Sequence, residues 1–131
     1  MHATYGDEIE FLMVYIREAH ALDSPWPMGG KDGAPIVEDP VTYGERKDVA
    51  QRCMQALDMS PMTMLIDGID NEVGDAYAAW PDRLYLVNEK GKVAYAGGPG
   101  PFAFEPDELE DAIRAELDLE PIKRKPKKKG K

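Results

Sequence analysis

A carboxylate and an imidazole lie two residues apart at Glu18 and His20, shortly after the apolar run of residues 9–16. The run is interrupted only by Glu10, which predicts a buried strand. A histidine at the carboxyl end of a parallel strand is well placed at the active edge of an α/β sheet, and if the strand continued, Glu18 would point to the same side. Glu18 could then orient the imidazole or hold it protonated. Taken alone, the two residues favour a histidine hydrogen-bonded to a nearby loop and leave a solvated carboxylate as an equal reading of Glu18.

Cys53 is the only cysteine, so these 131 residues hold no internal disulfide, CxxC pair or cysteine-based zinc site. It falls on the apolar face of a predicted helix with Val49, Met54 and Leu57, where a small buried residue is more typical than a nucleophile. The only other histidine, His2, lies in a terminus that we expect to fray. Metal-ligand spacing is lacking, and we expect neither a metal nor a cofactor.

Charge is unevenly distributed. The chain has 16 Lys and Arg against 25 Asp and Glu, and seven of the basic residues lie between Lys123 and the end. An acidic body repels nucleic acid and anionic membranes, whereas the basic tail could attract either. We expect residues 122–131 to be a disordered, solubilising tail, with nucleic acid and membranes unlikely partners. The apolar runs are too short to span a bilayer and the start of the chain has no signal-peptide pattern, which predicts a soluble, cytoplasmic protein.

Helices and strands alternate along the chain, which predicts an α/β fold. Strands are predicted over 9–16, 62–67, 83–88 and 92–96, and a loop over 20–42. One helix is predicted after a cap formed by Thr42 and Glu45, and a second over 71–79 with a cap at Asp70 and Asn71. A last helix begins at Pro106 and has an apolar stripe at Leu109, Ala112, Ile113 and Leu117. The loop holds seven Pro and Gly residues. Loops of this length are usually functional or disordered, and Trp26 favours a docked one.

Several blocks of the chain match, in order, those of a known family. They are FLMVYIREAH over 11–20, Asp23, Trp26, Asp70-Asn71, Tyr77, Pro81, Arg83-Leu84-Tyr85, Lys92-Val93-Ala94-Tyr95 and the GGPGP crossing over 97–101. With these blocks the chain resembles the iodothyronine deiodinases from about Tyr5 to Ala115. That family is a selenocysteine- or cysteine-dependent branch of the thioredoxin-like fold.

The resemblance implies roles for individual residues. His20 takes the position of a histidine that faces the redox residue and donates a proton or a hydrogen bond, with Glu18 beside it as a second catalytic candidate. Pro81 takes the position where thioredoxin-like proteins carry a cis-proline beside the redox residue. Arg83 and Trp26 are implied to lie next to the site.

Two departures from the vertebrate enzymes concern the substrate. Pro99 stands where those enzymes carry an arginine between the glycine pair and the Gly-Pro of the crossing. The region around Thr42 lacks the histidine that they have before the helix that follows the long loop. Both residues are associated with iodothyronine handling, so the sequence argues against thyroid-hormone-like substrates.

The family's redox residue lies in a strand–loop–helix that precedes the Phe11 strand, and these 131 residues contain no such segment. We therefore predict a mixed thioredoxin-like sheet with a C-terminal antiparallel hairpin and flanking helices, an incomplete domain over 1–121, and a gap where a first strand would lie between the other parallel strands. Three explanations stay open: a reading frame restarted at Met1 after a selenocysteine codon, which we prefer, a remnant that pairs its edges with a partner, and a smaller sheet in which strands 9–16 and 62–66 pair directly. An upstream frame without a TGA or cysteine codon in a matching extension would refute the first.

Two functions compete. One is a thiol- or selenol-dependent oxidoreductase of deiodinase type, whose nucleophile attacks a halogen, a peroxide or a disulfide while His20 donates a proton. The other is a catalytically inert thioredoxin-like module that uses the 20–42 loop and a sheet edge to bind a partner. A thiol reductant, another protein or a second copy of the chain are the partners that these functions imply.

Overall fold

The computed structural model describes residues 1–28 and 35–125. Gly29, Gly30 and Gly33 of the predicted loop and the tail beyond Lys125 lie outside these ranges. The chain divides into two compact units, residues 1–82 and 83–131. Both units combine strands with helices, which confirms the α/β class, but the described strands form two separate two-stranded sheets rather than the one mixed sheet predicted.

The first unit contains a parallel strand pair and three helices. Its elements are α1 (His2–Tyr5), β1 (Leu12–Tyr15), α2 (Tyr43–Ala56), β2 (Thr63–Ile66) and α3 (Glu72–Ala76). Strands β1 and β2 pair in register from Leu12 opposite Thr63 to Tyr15 opposite Ile66. Alternate residues on each strand are half-buried, while Leu12, Val14 and Leu65 are exposed. The strand predicted over 9–16 therefore exists but is shorter.

Direct pairing of β1 with β2 corrects the predicted gap between these two strands. Every residue of Leu12–Tyr15 faces a residue of Thr63–Ile66, and Asp67 N–H extends the ladder by donating to Tyr15 O over 2.9 Å. The facing backbone groups are thus satisfied, which removes the energetic argument for an inserted strand at this place. The structure has the strand arrangement of the third explanation, in which the two parallel strands pair directly.

The N-terminus is also more ordered than predicted. Residues His2–Tyr5 form one helical turn, and Tyr5 is only 3% exposed. The His2 ring contacts the Phe11 ring edge-on at a centroid distance of 5.4 Å. A short polar segment has little helix propensity of its own, so the burial of Tyr5 is what makes this terminus fold.

Helix α2 begins where the sequence predicts. Thr42 Oγ1 accepts from Glu45 N–H, and the Glu45 carboxylate accepts from Thr42 N–H, which completes the capping box. The helix packs against β2 and buries Val49 and Ala50. Leu57, predicted for the same apolar face, is the C-cap residue and is exposed, because the helix ends at Ala56.

The second unit is an antiparallel hairpin followed by a helix. Strands β3 (Tyr85–Val87) and β4 (Val93–Ala96) pair with an irregularity between Leu86 and Val87, and α4 spans Pro106–Glu116. The Asn88 carboxamide oxygen closes the turn by accepting from the N–H groups of Lys90 and Lys92. Gly91 adopts φ +72°, which glycine takes without strain.

Helix α4 packs on both strands of the hairpin through its apolar stripe. Leu109 and Ile113, predicted for that stripe, are buried together with Leu86 of β3. Pro106 occupies the first turn, followed by Asp107 and Glu108, as the sequence predicts.

The segment after α4 folds back along the helix. Arg114 Nε donates to Glu120 O over 2.7 Å, and Arg124 pairs with Asp107, Glu110 and Asp111. The described start of the predicted tail is therefore held by ion pairs, while residues 126–131 lie outside the described residues. In the described ranges, no helix combines the length and apolarity that a bilayer crossing requires.

Candidate functional site

The Glu18 turn, residues 16–23, follows directly after β1. Because β1 ends at Tyr15, neither Glu18 nor His20 lies on a strand. The expectation that both side chains point to one side required the strand to continue through them, and that condition is not met. The two groups are nevertheless close enough for the His20 charge to lower the pKa of Glu18, against stronger effects that raise it.

His20 is exposed, and one of its nitrogens is fixed. Nδ1 lies 2.9 Å from Trp26 O. A carbonyl oxygen can only accept a hydrogen bond, so Nδ1 carries a proton and donates it. The neutral imidazole is then unprotonated at Nε2, and no hydrogen bond to Nε2 is formed by the described residues. His20 therefore presents to solvent a nitrogen that accepts a proton and, as imidazolium, donates it.

Four further hydrogen bonds close the turn. Met28 N–H donates to His20 O over 3.1 Å and Leu22 N–H to Val37 O over 2.8 Å. Glu18 N–H donates to Asp39 Oδ1 over 3.3 Å, and Asp39 N–H donates to Asp23 Oδ1 over 2.9 Å. The segment 35–40 is thus tied to the Glu18 turn by backbone and carboxylate groups.

Trp26 contributes its carbonyl to this arrangement but not its ring. The side chain is 67% exposed, so burial of the indole does not hold the loop. Backbone hydrogen bonds, including the one that Trp26 O accepts, connect this part of the loop to the Glu18 turn.

Glu18 is half-buried, and its pKa is raised from the ordinary 4.5. Burial is the largest cause, because a charged carboxylate loses hydration there, and the neighbouring Asp39 charge adds to it. The positive charges of His20 and Arg46 oppose the rise. The result is a carboxyl group beside His20 that holds its proton to higher pH than a free glutamate.

Cys53 has the features of a core thiol. It is half-buried on α2, and its pKa is raised by burial and by the Glu18 charge, against a smaller opposing effect of Arg52. Both main effects disfavour the thiolate, which is the nucleophilic form. The structure therefore supports the interpretation that Cys53 is not activated.

A buried polar network, which the sequence analysis missed, lies behind the Glu18 turn. Arg46 is 2% exposed and donates through its terminal nitrogens to Gly68 O at 2.6 Å and Asn71 Oδ1 at 2.9 Å. Asp67, also 2% exposed, accepts from the N–H groups of Val73 and Gly74 and so caps α3. The cap was predicted at Asp70 and Asn71. Asp70 Oδ1 accepts from Glu72 N–H over 3.4 Å, whereas Asn71 makes no side-chain cap. An aspartate directly after a strand and just before a helix was the signal available for Asp67; nothing in the pattern marked Arg46 as buried.

The remaining candidates are Pro81, in the first unit, and Arg83, in the second. The Trp80–Pro81 bond is cis, as the resemblance implies, and so is Gly100–Pro101. Arg17 lies over the Trp80 ring, with its guanidinium carbon 5.1 Å from the ring centroid. Arg83, in the second unit, is half-buried and its Nε lacks a hydrogen-bond partner among the described residues.

The described residues contain no group of three or more His, Cys, Asp or Glu side chains placed to hold an ion. The imidazole and the carboxyl group at the Glu18 turn are groups that can transfer protons.

Comparison with known proteins agrees with the resemblance. The iodothyronine deiodinase family model matches residues 2–117. Among the relatives, type I iodothyronine deiodinase of Xenopus laevis is 35% identical over 76% of this chain and 37% of its own length. Thyroxine 5-deiodinase of Gallus gallus is 35% identical over 82% and 39%, and type II iodothyronine deiodinase of Homo sapiens is 31% identical over 80% and 38%.

The matched part spans well under half of the length of these relatives. The match nevertheless covers most of the present chain, including β1, the Glu18 turn, α2, the hairpin and α4. The chain belongs to the iodothyronine deiodinase family.

Proposed function

We propose that this chain forms the proton-donating part of a thiol- or selenol-dependent reductive dehalogenase, an oxidoreductase of deiodinase type. Family membership supports the reaction class. The observation that carries the proposal is the orientation of His20: the bond from Nδ1 to Trp26 O leaves Nε2 as the group that exchanges a proton with a substrate. The order of the parallel pair, hairpin and final helix fits a thioredoxin-like fold, which is part of the proposal.

The proposed reaction replaces the iodine of an aromatic ring by hydrogen. A thiolate or selenolate takes the iodine of an iodinated aromatic compound, the carbon–iodine bond breaks, and its electron pair stays on the ring carbon. Protonated His20 supplies the proton that this carbon takes up. A second thiol then displaces iodide from the sulfur or selenium, so that the ring is reduced and two thiols, or a thiol and a selenol, are oxidised.

The nucleophile is proposed to lie outside these 131 residues. Cys53 is their only sulfhydryl, and burial and the Glu18 charge both raise its pKa. A nucleophile requires the opposite environment, in which positive charge or a helix N-terminus stabilises the thiolate. The proposed nucleophile is a cysteine or selenocysteine encoded in a longer reading frame, which a cellular thiol reduces after each turnover.

The substrate is proposed to be an iodinated aromatic compound rather than an iodothyronine. The relatives are named for iodothyronines and thyroxine. Pro99 and the histidine-free region around Thr42 depart from the vertebrate pattern at the two positions that the resemblance associates with such substrates.

The test uses the gene's longest reading frame that contains this chain, with cysteine encoded at any in-frame TGA. Iodide release from an iodinated phenol is measured with a dithiol present. Loss of a general acid lowers the rate by about 10²–10⁴-fold, so His20→Gln should do so while His2→Gln, the matched control, should not. Equal rates in the two variants would refute the role of His20.

The 131-residue chain supplies the second arm. It should release no iodide above the dithiol blank, and Cys53→Ser should change nothing. Release that disappears in Cys53→Ser would overturn the exclusion of this thiol and also the inert alternative.

A binding module without catalysis remains a second candidate because of the loop surface. Leu22, Trp26 and Ile36 expose half or more of their side chains on segments that are hydrogen-bonded to one another. This candidate predicts that the longer protein, with its nucleophile present, still releases no iodide.

A further inference from the structure

Asp39 is connected to the candidate site through two hydrogen bonds that run in opposite directions. Its carboxylate accepts from Glu18 N–H, and its own N–H donates to the Asp23 carboxylate. One residue of the segment 35–40 therefore bridges the beginning and the end of the Glu18 turn. The bond from Leu22 N–H to Val37 O, two residues away, fixes the same segment independently.

We propose that Asp39 is a positioning residue, which holds the Glu18 turn closed and acts on His20 through Glu18 without touching substrate. The inference rests on the proposed function for its catalytic meaning, but its structural content concerns only Asp39, Glu18 and His20. The sequence pattern did not mark Asp39, because it lies 21 residues from Glu18 in the chain.

Four groups face Glu18 electrostatically: Asp39, His20, Arg46 and Cys53. Arg46 is fully buried and held by Gly68 and Asn71, so the position of its charge does not depend on the segment 35–40. Cys53 is held on α2. Of these four groups, Asp39 is the one that lies on the segment 35–40.

The position of Asp39 therefore contributes to the pKa of Glu18, second to burial. With the turn closed, the Asp39 charge adds to burial and raises the pKa of Glu18. If the segment 35–40 swings away, that repulsion is lost while the attraction of Arg46 remains, and Glu18 releases its proton more readily. Closure of the loop thus favours a protonated carboxyl beside His20, and opening favours a carboxylate.

Substitution by asparagine separates the two roles of Asp39. Asp39→Asn keeps an oxygen that accepts from Glu18 N–H and keeps the backbone donor to Asp23, but it removes the charge. Asp39→Ala removes both the acceptor and the charge. Asp23→Asn is the matched control, because it removes a charge from the same cluster and retains the acceptor for Asp39 N–H.

The first measurement is an NMR titration of the Glu18 carboxyl and the His20 ring in the 131-residue chain. Asp39→Asn should lower the Glu18 midpoint, and Asp23→Asn should leave it close to the wild-type value. An unchanged midpoint in Asp39→Asn, or an equal shift in both variants, would refute the electrostatic role.

The second measurement is amide exchange at Glu18 N–H. Asp39→Ala should speed exchange by about fivefold, the equivalent of one ordinary hydrogen bond, and Asp39→Asn should restore the wild-type rate. Equal protection in all three proteins would show that Asp39 does not hold the turn.

The third measurement is the pH profile of iodide release by the longer protein. Because Glu18 should ionise at lower pH in Asp39→Asn, the pH profile should shift in that variant and stay in place in Asp23→Asn. A longer protein that releases no iodide refutes the proposed function, whereas the titration and exchange results decide the role of Asp39 in either case. A displaced midpoint with an unmoved rate profile would overturn the claim that Asp39 acts on the reaction.

Discussion

The Glu18 turn and the hairpin–helix of the second unit are held by different forces. In the turn, hydrogen bonds to carboxylates and carbonyls fix Glu18, His20 and Asp39, which are exposed or half-buried. In the hairpin–helix, Leu86, Leu109 and Ile113 form an apolar core, and the charged groups around Arg124 lie toward solvent. The first arrangement places titratable groups for chemistry, while the second stabilises a scaffold.

The comparison shows where polar burial is concentrated. Both fully buried charged side chains among the described residues, Arg46 and Asp67, lie in the first unit, behind the Glu18 turn. Burying such groups is costly unless every donor and acceptor is paired, and here Arg46 Nε has no partner. Proteins accept such a cost mainly at functional sites, whereas apolar packing like that of the second unit serves stability.

The largest expected effect tests the apolar side of this comparison. Ile113 is 1% exposed, so Ile113→Ala should lower the free energy of unfolding by about 3 kcal/mol through lost burial and the cavity left behind. Urea denaturation measures it. Ile122→Ala, at a residue 38% exposed, is the control and should cost much less. Similar losses in both variants would mean that α4 is not packed as described.

A smaller effect tests the polar side. Arg46→Met keeps much of the side-chain volume but leaves Gly68 O and Asn71 Oδ1 without their donor, which should cost about 2 kcal/mol. Arg52→Met, at an exposed position of the same helix, should be close to neutral in urea denaturation. A stabilised Arg46→Met would show instead that the cost of burying the guanidinium exceeds the value of its bonds.

Much of the fold could be predicted because its signals are local. The capping box at Thr42, Pro106 at the start of α4 and the stripe through Leu109 and Ile113 each depend on spacings of a few residues. Leu57 was misplaced only because the helix ends one residue earlier.

The site was harder to predict because its contacts join distant residues. Asp39 lies 21 residues from Glu18, and Arg46 lies 25 from Asn71, so no spacing rule connects them. The motif around His20 indicated where to look, but strand alternation gave the wrong reason for the proximity of Glu18. The exposed ring of Trp26 shows the same limit, since a carbonyl rather than a side chain makes the contact.

The smallest expected effect is the change with pH in the contribution of Glu18 to the free energy of unfolding. Because the pKa of Glu18 is raised in the folded chain, the folded state keeps a proton that the unfolded state releases above the ordinary 4.5. The contribution of Glu18 to stability is therefore complete below pH 4.5 and is lost as the pH rises through the folded value.

Glu18→Gln cannot ionise, so it should gain stability relative to wild type as the pH is raised from 4 to 7. Thermal unfolding of both proteins across this range measures the difference, with Glu8→Gln, at an exposed position, as the control. A difference that is constant with pH would show that the folded chain does not hold the Glu18 proton more tightly than the unfolded chain. The Glu18 carboxyl group would then release its proton in the folded chain as readily as in the unfolded chain.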